Sequence, residues 1–209
     1  DSWSKNLRES INSETIFAPL SLDLELASIC DMACPYCYRQ YLATPDKLMP
    51  IEFAKKLIDQ AAEIKIPSIK FNWRGEPLMH PKLEEIIKYA KNKGIIDTII
   101  NTNAMKLTYE RSISLINSGI DQIIFSFDGG TKETYEKNRL GRWETNLFEN
   151  VLANIRNFNR AKEALGVKLP WTRIQMVLTP EAQPEQENYR KLFDDCVDEV
   201  IVNNYDERG

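Results

Sequence analysis

Apolar runs that alternate with amphipathic segments set the tightest limit on what this chain can fold into. Residues 22–26 read Leu-Asp-Leu-Glu-Leu, the two-residue period of a strand. Residues 50–64 then place Phe53, Leu57, Ile58 and Ala61 at the spacing of one helix face. The exchange repeats along the chain. Further strands are expected at 68–73, 95–100, 120–127, 172–178 and 199–202. Helices are expected from Pro81 to Gly94, over 108–118 with Gly119 behind it, over 145–165 stopped by Gly166, and over 186–196. Proline suits a first helical turn, where its missing N–H would have no partner, and glycine suits the residue after the last turn. Strict alternation of this kind implies right-handed βαβ units and a parallel sheet, an α/β fold. Six units fall short of the eight that close a full barrel. No G-x-G-x-x-G follows the first strand, so a dinucleotide-binding fold lacks its usual mark.

The chain has 209 residues, 43% hydrophobic and 28% charged, which suits one globular domain with a sizeable core. Residues 1–19 are polar and irregular, with an Ile16-Phe17 anchor, and read as an arm leading into a domain over 20–209. A start at Asp1 and an end on a glycine soon after an apolar run suggest a portion of something longer. The net charge of -4 argues against a broad nucleic-acid or membrane surface. No apolar run approaches the ~20 residues of a membrane helix, and no secretory signal opens the sequence. A reducing, cytoplasmic setting is therefore expected, in which clustered cysteines read as metal ligands rather than disulfides.

That cluster is Cys30-Asp31-Met32-Ala33-Cys34-Pro35-Tyr36-Cys37, a C-x3-C-x2-C loop just behind the first apolar run. Such spacing can curl three soft thiolates onto one centre, which selects zinc or iron–sulfur. The fourth cysteine, Cys196, lies near the other end of the chain and reads as a core residue. Three local ligands suggest a [4Fe–4S] cluster with one iron left open. The alternative is a non-catalytic zinc-binding interaction module whose tetrahedron a partner or distant residue completes.

The other unusual polar stretches share one position. Arg74-Gly75-Glu76-Pro77, Asn101-Thr102-Asn103 and Ser126-Phe127-Asp128-Gly129-Gly130 each fall at the C-terminal end of an expected strand. In parallel α/β folds those ends gather on one rim, and the rim carries the active site. Residues far apart in sequence should therefore surround one pocket. His80, before Pro81, reads as a helix-entry residue, and the proline- and charge-rich 181–187 as a solvated loop.

The cysteine loop, with Tyr36 before its last cysteine, resembles the signature of radical S-adenosylmethionine (SAM) enzymes. The resemblance implies a partial (β/α)6 barrel and a [4Fe–4S] cluster on Cys30, Cys34 and Cys37 whose open iron chelates SAM. It also implies reductive cleavage of SAM to a 5′-deoxyadenosyl radical that abstracts a substrate hydrogen. Residues 74–77 resemble the family's Gly-Gly-Glu-Pro motif, with Arg74 in place of the first glycine, which puts Gly75, Glu76 and Pro77 near SAM's amino group. Asn101 and Asn103 resemble a polar triplet lining the SAM pocket, and Ser126 and Asp128 a strand-four motif on its ribose or carboxylate. Arg139, with Arg142 close by, matches an arginine that pairs with the SAM carboxylate. Gln175, polar amid apolar neighbours, either faces the barrel interior beside these groups or lies at an edge. The layout is most similar to the subgroup with a C-terminal SPASM or Twitch extension. That subgroup modifies peptides or oxidises sugars and aminocyclitols, and an electron donor such as flavodoxin or ferredoxin is implied.

Overall fold

The computed structural model describes residues 19–43 and 45–204. The expected arm, including Ile16 and Phe17, lies outside them apart from Pro19. Six strands run in chain order: β1 Ser21–Asp23, β2 Ser68–Lys70, β3 Asp97–Thr102, β4 Gln122–Ser126, β5 Trp171–Leu178 and β6 Glu199–Asn204. All neighbours pair in parallel, in the order β1-β2-β3-β4-β5-β6. A doubly wound sheet reverses its strand order midway; a sequential one with right-handed crossovers keeps its helices on one face and curls. The fold is thus α/β, a partial (β/α)6 barrel.

Six helices fill the crossovers: α1 Ile51–Glu63, α2 Leu83–Asn92, α3 Tyr109–Asn117, α4 Lys132–Asn138, α5 Leu147–Leu165 and α6 Gln186–Phe193. Side chains alternate along each strand. Ile69, Ile100, Ile123, Phe125, Ile174 and Met176 are buried on one face, while Asn101, Ile124, Ser126 and Gln175 are half-buried on the other. That second face leads up to the rim.

The helix over Pro81 to Gly94 starts two residues later than expected, at Leu83, because Pro81 and Lys82 form a turn first. The strand over 22–26 is shorter, since the chain leaves the sheet after Leu24 donates to the Lys70 carbonyl. Helix α4 was not expected at all. It has one turn-spacing too few for an apolar stripe, and tertiary contacts hold it. Tyr135 stacks on Phe127 with centroids 4.0 Å apart, and Phe193 meets the same ring edge-on at 5.0 Å. Glu185 bonds the other end of α4: its carboxylate accepts from Gly130 N (2.8 Å), Thr131 Oγ1 (2.8 Å) and Thr134 Oγ1 (2.7 Å). Residues 181–187, read as solvated loop, therefore contain a structural clamp within a 3-10 turn, Gln183–Glu185.

At the N-terminal rim two identical devices staple the sheet. Asp121 Oδ2 accepts from Thr98 N, Thr98 Oγ1 and Lys91 Nζ (2.8, 2.8 and 2.7 Å). Asp198 Oδ2 accepts from Thr172 N, Thr172 Oγ1 and Lys162 Nζ (2.7, 2.6 and 3.0 Å). Each joins the residue before one strand to the start of its neighbour and to a helix.

Candidate active site at the C-terminal rim

Behind β1 the chain turns into the cysteine loop. Cys37 N bonds to the Cys34 carbonyl at 3.0 Å, which curls the loop, and Ala33 N bonds to the Leu140 carbonyl at 2.7 Å, which fastens it to the segment after α4. Cys30, Cys34 and Cys37 are free thiols on the wall of one cavity. Cys30 Sγ takes an N–H from Met32 at 3.4 Å, and Asn103 Nδ2 approaches it at 3.9 Å. Burial, then the charge of Glu76, pushes the Cys30 thiol up to about 12. Burial also raises Cys34, against the pull of Arg139. A bound metal reverses this balance, because it takes the thiolate form and releases the proton. The donor set, the shared cavity and the N–H groups aimed at sulfur fit an iron–sulfur cluster.

The segment after β2 is pressed against the loop's entry. A Cβ on Gly75 would lie 2.2 Å from the Ala27 carbonyl oxygen and 2.6 Å from that of Ile29, so only glycine passes there. Glu76 N bonds to the Ile29 carbonyl at 2.9 Å. The Glu76 side chain, 3% exposed, accepts from Leu78 N (3.0 Å), Thr102 Oγ1 (2.6 Å) and Asn103 N (2.8 Å). Burial, followed by the charge of Asp31, pushes its carboxyl up to about 7. Arg74, in place of a glycine, lines the cavity and pairs with Glu25, which takes its backbone N–H (2.8 Å) and Nε (3.0 Å). Pro77 is buried and starts a 3-10 turn, Pro77–Met79, off the cavity wall.

After β3 the chain makes a tight turn in which buried Ala104 takes a left-handed φ of 58°. Asn154 of α5 holds that turn by donating to the Ala104 (3.0 Å) and Met105 (3.2 Å) carbonyls. The turn points Asn103 Nδ2 at Asp31 Oδ1, 2.7 Å away. Asn101 and Ser126 stand side by side on β3 and β4, with Ser126 Oγ donating to Asn101 Oδ1 at 2.7 Å. Asn72 supplies the next link, its Oδ1 accepting from Asn101 N at 2.8 Å.

Tyr36 and Arg139 also wall the cavity. Both donate to Oδ2 of Asp128, whose Oδ1 accepts from Val177 N at 2.6 Å. Asp128 is 1% exposed and does not reach the cavity wall. A direct contact of Asp128 with SAM is thus not what its placement offers. Arg142 is off the wall as well: it donates to the Cys30 carbonyl (3.2 Å) and to Asp46 (3.0 Å). Gln175 pairs in register with Ser126 and shares its face, one strand beyond the wall. His80 has both ring nitrogens engaged, with the Met49 carbonyl and Lys82 N.

The rim thus brings together Cys30, Cys34, Cys37, Tyr36, Gly75, Glu76, Asn101, Asn103, Ser126 and Arg139, and leaves Pro77, Asp128 and Gln175 beside it. Reading the sequence assigned no site role to Asp31, Asn72 or Arg39. A charged residue wedged between two cysteines was the available signal for Asp31. Arg39, which donates Nε to the Ser28 carbonyl at 2.8 Å, carried none.

Known proteins resemble this chain in sequence and in fold. The Radical SAM superfamily model matches residues 24–186. A PqqA peptide cyclase of Bradyrhizobium diazoefficiens is 30% identical over 90% of this chain, and a GTP 3′,8-cyclase of Chlorobaculum tepidum is 30% identical over 54% of it. The chain spans 45% of the first and 34% of the second, less than half of either. The crystal structure of Streptococcus suis SuiB bound to precursor peptide SuiA superposes with a TM-score of 0.75 at 19% identity, covering 99% of this chain and 44% of that one. The matched region holds the cysteine loop, the Glu76 segment and the strand-end asparagines, and the chain belongs to the radical SAM superfamily, whose members use a [4Fe–4S] cluster and SAM.

Proposed function

We propose that this chain is the catalytic core of an enzyme that cleaves SAM reductively and uses the radical to modify a peptide. The observation that carries the reading is the shared cavity: three free thiols and a second set of polar groups from other strands wall one space. A structural zinc has no use for that second set. Cys30, Cys34 and Cys37 would hold the cluster. When bound and reduced, the cluster supplies the electron that splits SAM into methionine and a 5′-deoxyadenosyl radical, which takes a hydrogen atom from the substrate.

The chain's own residues position the reactants. An ionised carboxylate offers about four lone-pair sites. Three on Glu76 are filled by Leu78, Thr102 and Asn103, which leaves one for the ammonium of SAM. Gly75 lets the backbone close over the loop. Asn101, Asn103 and Ser126 offer hydrogen bonds along the wall. Arg139 offers its guanidinium to the carboxylate. Electrons come from an external donor such as flavodoxin or ferredoxin, and a reducing cytoplasmic setting suits the free thiols. No helix among the described residues is long and apolar enough to cross a membrane.

Peptide is favoured because a PqqA peptide cyclase is 30% identical over 90% of the chain and SuiB, which superposes with a TM-score of 0.75, was solved with a precursor peptide bound. Oxidation of a sugar or aminocyclitol has no comparable support. An extension of the SPASM or Twitch kind, beyond a core over 20–209, belongs to the same reading. Anaerobic reconstitution with iron and sulfide, then EPR of the reduced protein with and without SAM, tests it. A [4Fe–4S] signal that changes on adding SAM supports the reading; zinc without iron, or a cluster indifferent to SAM, returns the chain to a metal-stapled binding module.

A further inference from the structure

Asp128 accepts from three separate parts of the chain. Tyr36 comes from the cysteine loop, one residue before Cys37; Arg139 closes α4; Val177 lies on β5. The carboxylate that gathers them is itself held rigidly. A Cβ on Gly129 would lie 2.5 Å from Tyr135 N, and one on Gly130 2.5 Å from the Glu185 carbonyl oxygen, so the backbone after Asp128 is packed against α4 and the Glu185 turn. Asn138 Nδ2 donates to the Asp128 carbonyl at 3.0 Å and to Thr179 Oγ1 at 3.2 Å. These contacts fix Asp128 with no ligand involved. Its side chain lies behind the cavity wall, and two of the residues it holds, Tyr36 and Arg139, are part of that wall.

We propose that Asp128 is a positioning residue that ties the cysteine loop to Arg139, so that the cluster-bearing loop and the SAM side of the cavity keep one fixed relation. The inference rests on the radical SAM reading above. A purely stabilising ion pair would hold the fold without caring whether Tyr36 and Arg139 move together. A coupling residue makes the two arms interdependent, and that difference is measurable as non-additivity.

Asp128→Asn separates the arms from the anchor. The amide Oδ1 keeps the Val177 N–H, while the amide nitrogen replaces Oδ2 and faces two donors, Tyr36 and Arg139. Tyr36→Phe removes the hydroxyl arm and keeps the ring. The wild-type holoenzyme, both variants and the double variant are compared by iron content, melting temperature and the SAM concentration that half-converts the EPR signal of the reduced cluster. The expected result is full cluster loading in all four, SAM affinity weakened about tenfold in Asp128→Asn, a smaller weakening in Tyr36→Phe, and no added loss in the double variant. An unchanged SAM affinity in Asp128→Asn, or a Tyr36→Phe effect equal in both backgrounds, overturns the proposal. Should Asp128→Asn fail to keep its cluster, Tyr36→Phe and Arg139→Lys decide in its place: a Tyr36→Phe loss of SAM affinity that shrinks in the Arg139→Lys background supports the coupling, and equal losses in both backgrounds overturn it. A wild-type cluster blind to SAM sinks the functional reading and this one together, whereas a responsive wild type whose Asp128→Asn variant binds SAM equally tightly sinks this one only.

Discussion

The two ends of the sheet use carboxylates in opposite ways. At the N-terminal rim, Asp121 and Asp198 each meet a lysine ammonium and the hydroxyl and N–H of a strand-opening threonine. At the C-terminal rim, Glu76 is buried against hydroxyl and amide donors, with Asp31 nearby and no ion pair among the described residues. The first arrangement stabilises the fold. The second keeps a buried acceptor on the cavity wall with both oxygens hydrogen-bonded and, in the functional reading proposed above, one lone-pair site left for a cationic ligand group. Parallel α/β folds divide labour this way because one end of every strand opens to loops that need not pack.

The comparison breaks most visibly at the cysteine loop. Cys34→Ala should abolish the cluster, read as loss of iron and of the EPR signal after reconstitution. The melting temperature of the cluster-free chain should move by only a few degrees, since a buried thiol is replaced by a slightly smaller apolar group. A cluster-free variant that no longer folds would show that the C-terminal rim also carries stability.

The two rims should next differ in the sign of their pH dependence. Glu76 titrates at about 7 in the folded chain against an ordinary 4.5, so folding favours its neutral form. The stability tied to that proton is full below pH 4.5 and is lost as pH rises through 7, by at most ~3 kcal/mol in the cluster-free chain. At Asp198, burial works against the charge, but Thr172 and Lys162 outweigh it and hold the carboxyl below the ordinary range. Its contribution is present at neutral pH and is lost as pH falls below the ordinary carboxylate value. Urea unfolding of wild type and Glu76→Gln across pH 4–8 checks this. The variant should lose the decline between 4.5 and 7, and an unchanged profile would assign that decline to other groups.

Much of this could be read from the sequence because it is local. Period-two and period-3.6 patterns, with glycines at 94 and 119 taking φ of 89° and 83° behind their helices, give the βαβ order directly. The cysteine spacing and the strand-end stretches point to one rim for the same reason. What stayed hidden depends on distant partners. Glu185 looks like any loop acid until Thr131 and Thr134 are brought to it. Asp128 matches a ligand-binding motif, yet Tyr36, Arg139 and Val177 occupy its oxygens. The paired Lys–Asp–Thr staples have no fixed period, since 23 residues separate Thr98 from Asp121 and 26 separate Thr172 from Asp198. Repetition of geometry without repetition of sequence leaves no pattern to count.

Those staples give the gentlest test of the contrast. Asp198→Asn keeps an oxygen for the Thr172 N–H but removes the charge facing Lys162, whose side chain is 8% exposed. Asp198 itself is 31% exposed on its side chain, so solvent screens part of the loss and the cost should be about 1–2 kcal/mol. For a chain of this size that is a fall of roughly 3–6 °C in melting temperature. Iron loading and the SAM response should stay at wild-type values, because the substitution lies at the far end of the strands from the cavity. Asp121→Asn should behave the same way, with Lys91 and Thr98 in the matching roles. If either substitution weakened SAM binding while leaving the melting temperature alone, the division between a stabilising rim and a ligand-holding rim would be wrong. Equal losses at both staples would instead show that the sheet is fastened twice by one device.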